Sequence, residues 1–211
     1  MTTFLLILTA VLSYFIGNLN GANLFSRILK RQETEVEDLA PSLTLYHRIY
    51  GPFGVALIIL ADILKSLIAI ALGGAFLNSA GAAAVGRLFA GFCLIMGHEF
   101  PVVNRYHGRS GILCGAVMAL LVDWRVAFGC LVVFLLVIIF FRYLSLGAIA
   151  ASLFCPIFMW MFTHETIEGT LALLCALLII ARYAENILNL IGGTEPRLDF
   201  RPGSSRSNWR Y

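Results

Sequence analysis

What most constrains this chain is a series of apolar segments, each long enough or nearly long enough to cross a bilayer, separated by short polar breaks. A helical crossing of the hydrocarbon core takes about 20 predominantly apolar residues. Runs of that kind occupy residues 4–25, 53–77, 82–96, 126–141, 145–162 and 169–191. A seventh, 112–122, is shorter and reads either as a tilted span or as a half-helix beginning at Gly111. Only 13% of the residues are charged, about half of the roughly 25% usual for a soluble domain. The expected fold is therefore an all-α integral membrane protein, a seven-transmembrane-helix bundle. Residues 1–197 form the membrane domain, and residues 198–211 form a polar tail rich in Ser, Arg and Asn that is expected to be disordered.

Charge and cysteine content remove other classes. A net charge of +3 is too small to imply nucleic acid as a partner. The five cysteines, Cys93, Cys114, Cys130, Cys155 and Cys175, sit in or at the start of apolar runs without a CxxC pair, and read as free thiols within the membrane. Neither His98-Glu99 nor His164-Glu165 continues to HExxH, so no metal site and no cofactor are expected. Met1-Thr2-Thr3 carries no basic residue, and the apolar run behind it reads as a first span rather than a cleaved signal.

The basic residues set an orientation. Arg27, Lys30, Arg31 and Arg48 follow the first span, Arg105 and Arg109 the third, Arg142 the fifth, and Arg197, Arg201, Arg206 and Arg210 the seventh. The opposite loops hold Arg125, Glu165 and Glu168, with Arg87 near the start of the third span. The bias of Lys and Arg toward cytoplasmic loops then places the N-terminus outside and the C-terminus in the cytoplasm, with every basic loop on the cytoplasmic face.

Several residues on that face could carry chemistry. Gly97-His98-Glu99-Phe100-Pro101, followed by Arg105-Tyr106-His107-Gly108-Arg109-Ser110-Gly111, reads as a glycine-bearing basic turn suited to an anion. Asp62 and Lys65 stand at i, i+3 within the second span, either as a structural ion pair or as the lining of a polar cavity. Arg182, Glu185, Asn186 and Asn189 follow helical spacing and predict a polar stripe at the inner end of the last span. Asn18, Asn20 and Asn23, near Gly17 and Gly21, suggest interhelical hydrogen bonding more than a pocket.

These segments together resemble the bacterial membrane acyl-phosphate:glycerol-3-phosphate acyltransferases of the PlsY type. That family's GHxFPxF…KGGKG pattern is similar to Gly97–Pro101 with Gly108–Gly111, and its DxLKG pattern to Asp62-Ile63-Leu64-Lys65-Ser66. Its RYxSLG pattern matches Arg142-Tyr143-Leu144-Ser145-Leu146-Gly147, and its RHRxNIxRLxxGxE pattern resembles Arg182 through Glu195. The resemblance implies a seven-span bundle in the bacterial plasma membrane, with its site facing the cytoplasm. It implies transfer of a fatty acyl group from acyl phosphate to glycerol 3-phosphate in phospholipid synthesis. Carried onto this chain, it makes Thr44, Arg48, Gly108, Arg109, Gly111, Arg142, Arg182 and Glu195 the substrate- and phosphate-binding residues. Ser110, His98 and Asn186 become the catalytic set.

The chain departs from the family at its chemistry. The GSGNxGATNxxR loop corresponds to Glu37 through Arg48, where only Thr44 and Arg48 are kept, and Asp38 replaces a serine. The lysine of GGKG is Ser110, the histidine of RHRxN is Tyr183, and the GSIP segment is Gly17-Asn18-Leu19-Asn20. Two expectations therefore stand side by side. One is an acyltransferase using acyl phosphate with glycerol 3-phosphate or a different acceptor. The other is a degenerate member that binds membrane lipid or a partner protein, the latter through the acidic stretch Glu33–Asp38.

Overall fold

The computed structural model describes residues 1–19, 43–102 and 108–197, with the backbone alone for 43–50. Every element among them is helical: α1 (Thr2–Asn18), α2 (Leu43–Asn78), α3 (Ala83–Glu99), α4 (Ile112–Val122), α5 (Trp124–Phe141), α6 (Leu144–Thr163), α7 (Thr166–Arg182) and α8 (Ala184–Ile191). Three stretches are long and apolar enough to cross a membrane, Gly51–Asn78, Trp124–Phe141 and Leu144–Thr163, and the bent pair α7–α8 would make a fourth. The tail 198–211 and the stretch Glu33–Asp38 lie outside the described residues.

The fold is apolar on its outside, as lipid demands, and its polar side chains are gathered inside beside an apolar core. Phe128, Leu131, Leu135, Ile139 and Phe140 of α5 are exposed, whereas Asn18, Asp62, Lys65, Ser66, His98 and Glu99 are buried. Helix α3 is the central post, packed against α1, α2, α4 and α7, while α5 stands at the edge against α4 and α6. The apolar core joins Ala69 and Ile70 of α2, Leu88, Leu94 and Ile95 of α3, Cys114 and Met118 of α4, Met159 of α6 and Cys175 of α7.

Small residues let the central helices touch. A Cβ on Gly97 would fall inside the envelope of the Tyr14 carbonyl, and one on Gly17 would lie 3.1 Å from Gly97 Cα. Gly73 and Gly86 make the same close crossing between α2 and α3. Without a hydrophobic driving force in lipid, such backbone-to-backbone packing is a main source of helix association. At the other end of α4, Arg87 Nη1 donates to Leu121 O at 2.8 Å, placing a cation at the helix C-terminus.

Three breaks shape the end of the bundle at which α1 and α3 finish. Gly51 takes φ 69° and ψ −176° ahead of Pro52, splitting α2, since a residue before proline avoids the helical region and glycine tolerates positive φ. The expected turn beginning at Gly97 is not one at its start: α3 runs through His98 to Glu99, and the chain leaves the helix only at Phe100. The last apolar run is also not one straight helix, because α7 and α8 meet at 58° across Tyr183. The single polar stripe expected along residues 182–189 is thereby corrected, since Arg182 ends one helix and Glu185, Asn186 and Asn189 belong to the next.

The Tyr14–Gly97 crossing yields a direct expectation. Gly97→Val should lower the thermal unfolding midpoint in detergent by several degrees, whereas Gly192→Ala, whose Cβ meets nothing closer than 3.3 Å, should leave it nearly unchanged. Equal midpoints for the two variants would contradict the packing described.

Candidate functional site

At the C-terminal ends of α1 and α3, a buried network gathers residues from four parts of the sequence. Asp62 is 2% exposed and sits between two cations, with Lys65 Nζ at 3.0 Å and Arg109 Nη1 at 3.1 Å. Lys65 also donates to Leu19 O at 2.8 Å and to His98 Nδ1 at 2.8 Å, with Gly17 O at 3.4 Å. Its ammonium thus ties the C-terminal end of α1 to α2 and α3, where the helix dipole favours a cation. Because Nδ1 of His98 accepts from an ammonium, the ring hydrogen belongs on Nε2. The i, i+3 pair anticipated from sequence is present, and Arg109 completes it.

A second set of contacts holds the stretch that precedes α4. Glu99 is 0% exposed, and its Oε1 accepts from Gly111 N–H at 2.9 Å. A carboxylate at a helix N-terminus meets both an unpaired donor and the positive end of the dipole. The Gly111 amide suggested as an anion donor is therefore already engaged inside the protein. Gly108 lies so close to the His98 and Glu99 carbonyls that a Cβ would overlap both. Its own carbonyl accepts from Arg182 Nη2 at 2.7 Å. Ser110 Oγ and Glu99 Oε2 are buried without a hydrogen bond of full geometry among the described residues, although the Tyr183 hydroxyl interacts with Ser110.

A third cluster closes the base of α6 and α8. Gly193, at φ 71°, turns the chain back so that the amides of Thr194 and Glu195 donate to Asn189 O at 2.9 and 3.2 Å. Glu195 Oε1 then accepts from Ser145 Oγ at 2.6 Å and from Asn186 Nδ2 at 3.0 Å. Arg197 Nε donates to the Tyr143 hydroxyl at 2.8 Å while its guanidinium lies over that ring.

The sequence-predicted residues thus divide. Asp62, Lys65, His98, Gly108, Arg109, Ser110, Gly111 and Arg182 come together where the C-terminal ends of α1, α3 and α7 and the start of α4 meet the middle of α2. Asn186 and Glu195 form the neighbouring cluster with Ser145. Arg142 is exposed in a left-handed turn at φ 63° that ends α5, and it takes part in neither set of hydrogen bonds. Thr44 and Arg48 lie on the first turns of α2, where only the backbone is described. Glu99 was missed in sequence as an organising residue. The signal was there, a carboxylate at the end of an otherwise apolar helix, but its partner is a backbone amide twelve residues on.

The buried triad predicts an order of stabilities. Asp62→Leu leaves Lys65 and Arg109 facing each other, and should cost about 3–5 kcal/mol, the range for breaking a buried ion pair. Lys65→Met should cost less, because Arg109 still neutralises Asp62. Thermal unfolding of both purified variants checks the order, and a reversed ranking would contradict it.

Comparison with known proteins places this geometry. The family model described as glycerol-3-phosphate acyltransferase matches residues 7–193. A glycerol-3-phosphate acyltransferase of Cupriavidus taiwanensis is 28% identical over 193 residues, covering 91% of this chain and 96% of the relative. One of Ralstonia pickettii is 29% identical over 194 residues, covering 91% and 93%. In three dimensions the chain is similar to the crystal structure of PlsY (YgiH), an integral membrane glycerol 3-phosphate acyltransferase, in its glycerol 3-phosphate form. The TM-score is 0.79 and the identity 23%, with 92% of this chain and 96% of that one covered. The lysophosphatidic acid form gives a TM-score of 0.78 at 24% identity.

Proposed function

Since this chain belongs to the glycerol-3-phosphate acyltransferase family, we propose that it transfers a fatty acyl group from acyl phosphate to glycerol 3-phosphate at the cytoplasmic face of a bacterial plasma membrane. One observation carries the reading. Segments as far apart in sequence as Asn18, Asp62, His98, Arg109 and Arg182 converge on one end of the bundle, where an ammonium and a guanidinium both meet the carboxylate of Asp62. Cationic donors gathered in this way suit a phosphate.

Arg109 is the phosphate ligand in this scheme, exchanging part of its contact with Asp62 for the bidentate grip that guanidinium offers an oxyanion. Thr44 and Arg48, which the family resemblance assigns to phosphate, belong to the same proposal. Ser110 Oγ would donate to the carbonyl oxygen as it gains charge. The acceptor hydroxyl attacks the acyl carbon, the acyl–phosphate bond breaks, and the hydroxyl proton leaves with inorganic phosphate. Neither His98 nor Tyr183 is a ready base: His98 Nδ1 is occupied by Lys65, and a tyrosine such as Tyr183 has an ordinary pKa near 10. Acyl phosphate is already activated, so holding the two substrates in register supplies much of the rate.

The orientation and span count belong to the same proposal. An eleven-residue α4 is about 17 Å long at 1.5 Å per residue, short of the roughly 30 Å core. The seventh crossing is then completed by the Gly108–Gly111 stretch buried against the end of α3. The basic residues at 48, 109, 142 and 197 support an orientation with these ends inside the cell. An alkaline phosphatase fused after Arg197 should be inactive, and the same reporter fused within the Asp123 turn should be active. The opposite pattern would invert the topology.

A second reading has its own support: Arg109 is held by Asp62, and the family's phosphate loop, lysine and histidine are all replaced. Such a member would bind lipid or a partner protein without turnover. Purified protein given acyl phosphate and glycerol 3-phosphate separates the two. Phosphate release that falls about 100-fold or more in a folded Arg109→Ala variant supports catalysis. No release, with none gained by the combined Ser110→Lys and Tyr183→His change, favours the binding role.

A further inference from the structure

Between α1, α3 and the Gly108–Arg109 backbone lies a small cavity lined by Gly17, Asn18, His98, Pro101, Gly108 and Arg109. It holds about 10 Å³, room for one oxygen-sized group. Asn18, on the last turn of α1, is only 7% exposed, and both atoms of its amide, Oδ1 and Nδ2, lack any hydrogen-bond partner among the described residues. Burying an amide unpaired costs about 1–3 kcal/mol by protein mutational data. An interhelical hydrogen bond, the role asparagines of α1 suggested in sequence, would have removed that cost. None is made.

The chemistry of the orphaned group narrows what it can take. Oδ1 only accepts and Nδ2 only donates, so one partner satisfying both must itself donate and accept. A phosphate oxygen or a ketone only accepts, and an ammonium only donates. A hydroxyl does both. The rest of the wall fits an acceptor lone pair as well: His98 carries its ring hydrogen on Nε2, which makes no hydrogen bond among the described residues, and the Arg109 guanidinium stands at the same cavity. A cation beside a hydroxyl-sized space favours a ligand whose alcohol lies a few bonds from a phosphate.

We infer that Asn18 is a specificity residue that reads a free hydroxyl of the acceptor, the one beside the hydroxyl to be acylated, and so restricts the acceptor to vicinal-diol monophosphates. This inference rests on the acyltransferase reading for its substrate, and deepens it. A site built to hydrogen-bond a hydroxyl rejects an analogue lacking it strongly, because its own buried polar groups are then stranded.

The probe is 3-hydroxypropyl phosphate, which keeps the acylated hydroxyl and the phosphate of glycerol 3-phosphate and lacks only the neighbouring hydroxyl. The wild-type protein should prefer glycerol 3-phosphate by about 100-fold or more in kcat/KM. In Asn18→Leu, similar in size but apolar, the ratio should fall to within about threefold, with KM for acyl phosphate unchanged. Wild-type protein that treats the two acceptors alike overturns the inference without any variant. A folded Asn18→Leu protein that keeps the full preference overturns it too. If the protein turns over neither acceptor, the acyltransferase reading fails separately, and calorimetric titration decides. Binding of glycerol 3-phosphate at least tenfold tighter than 3-hydroxypropyl phosphate, abolished in Asn18→Leu, sustains the hydroxyl site. Equal binding of the two, or binding of neither, ends it.

Discussion

The ammonium of Lys65 is the tie on which this end of the bundle, where α1 and α3 finish, depends. It reaches the carboxylate of its own helix, the imidazole of α3 and the last carbonyls of α1 at once. An ionisable group in a membrane helix is costly by itself, about 2.5–3.5 kcal/mol by insertion measurements. The cost is offset only if its donors and charge are all met inside the protein. Meeting them fixes where α1 ends, how α2 is rotated and which nitrogen of His98 carries hydrogen. Arg109 then has a defined counterion, and the stretch before α4 has a defined place.

Close backbone packing makes that tie possible. Lys65 can reach Leu19 O only because α1 crosses α3 with Gly17 near Gly97, and Gly108 fits under the end of α3 because it has no side chain. Glycine and lysine therefore serve one arrangement, the first by permitting contact and the second by rewarding it. Glu99 repeats the logic on the other side of α3. It spends a buried carboxyl oxygen on the Gly111 amide and so sets the start of α4.

Much of the helical plan was legible because apolar runs reveal helices without knowledge of their neighbours. The segment expected at 112–122 is α4 to the residue, and those at 126–141 and 145–162 differ from α5 and α6 by one or two residues. Asp62 and Lys65 could be paired in advance because i, i+3 spacing fixes their proximity. Arg109 joining them could not, since 47 residues and a tertiary fold separate it from Asp62. The breaks were harder. Gly51-Pro52 is a recognised stop signal that stands just ahead of the apolar run at 53–77, while the bend at Tyr183 follows no glycine or proline. Its origin lies in contacts, with Arg182 drawn to Gly108 O and Asn186 to Glu195. Asn18 misled for a similar reason: spacing shows that an amide faces inward, but not whether another helix answers it.

The bend at Tyr183 also bears on how deep the site lies. Helix α8 leaves Leu188 and Ile191, one turn apart, 69% and 80% exposed, while Asn186 on the same eight residues is bound to Glu195. A short helix with an outward apolar edge and a tethered polar edge settles at the lipid–water boundary. On the acyltransferase reading proposed above, it would act as a depth gauge, holding the cluster of Ser145, Asn186 and Glu195 at headgroup level, where a substrate with a greasy chain and one from the aqueous side would arrive at the same height.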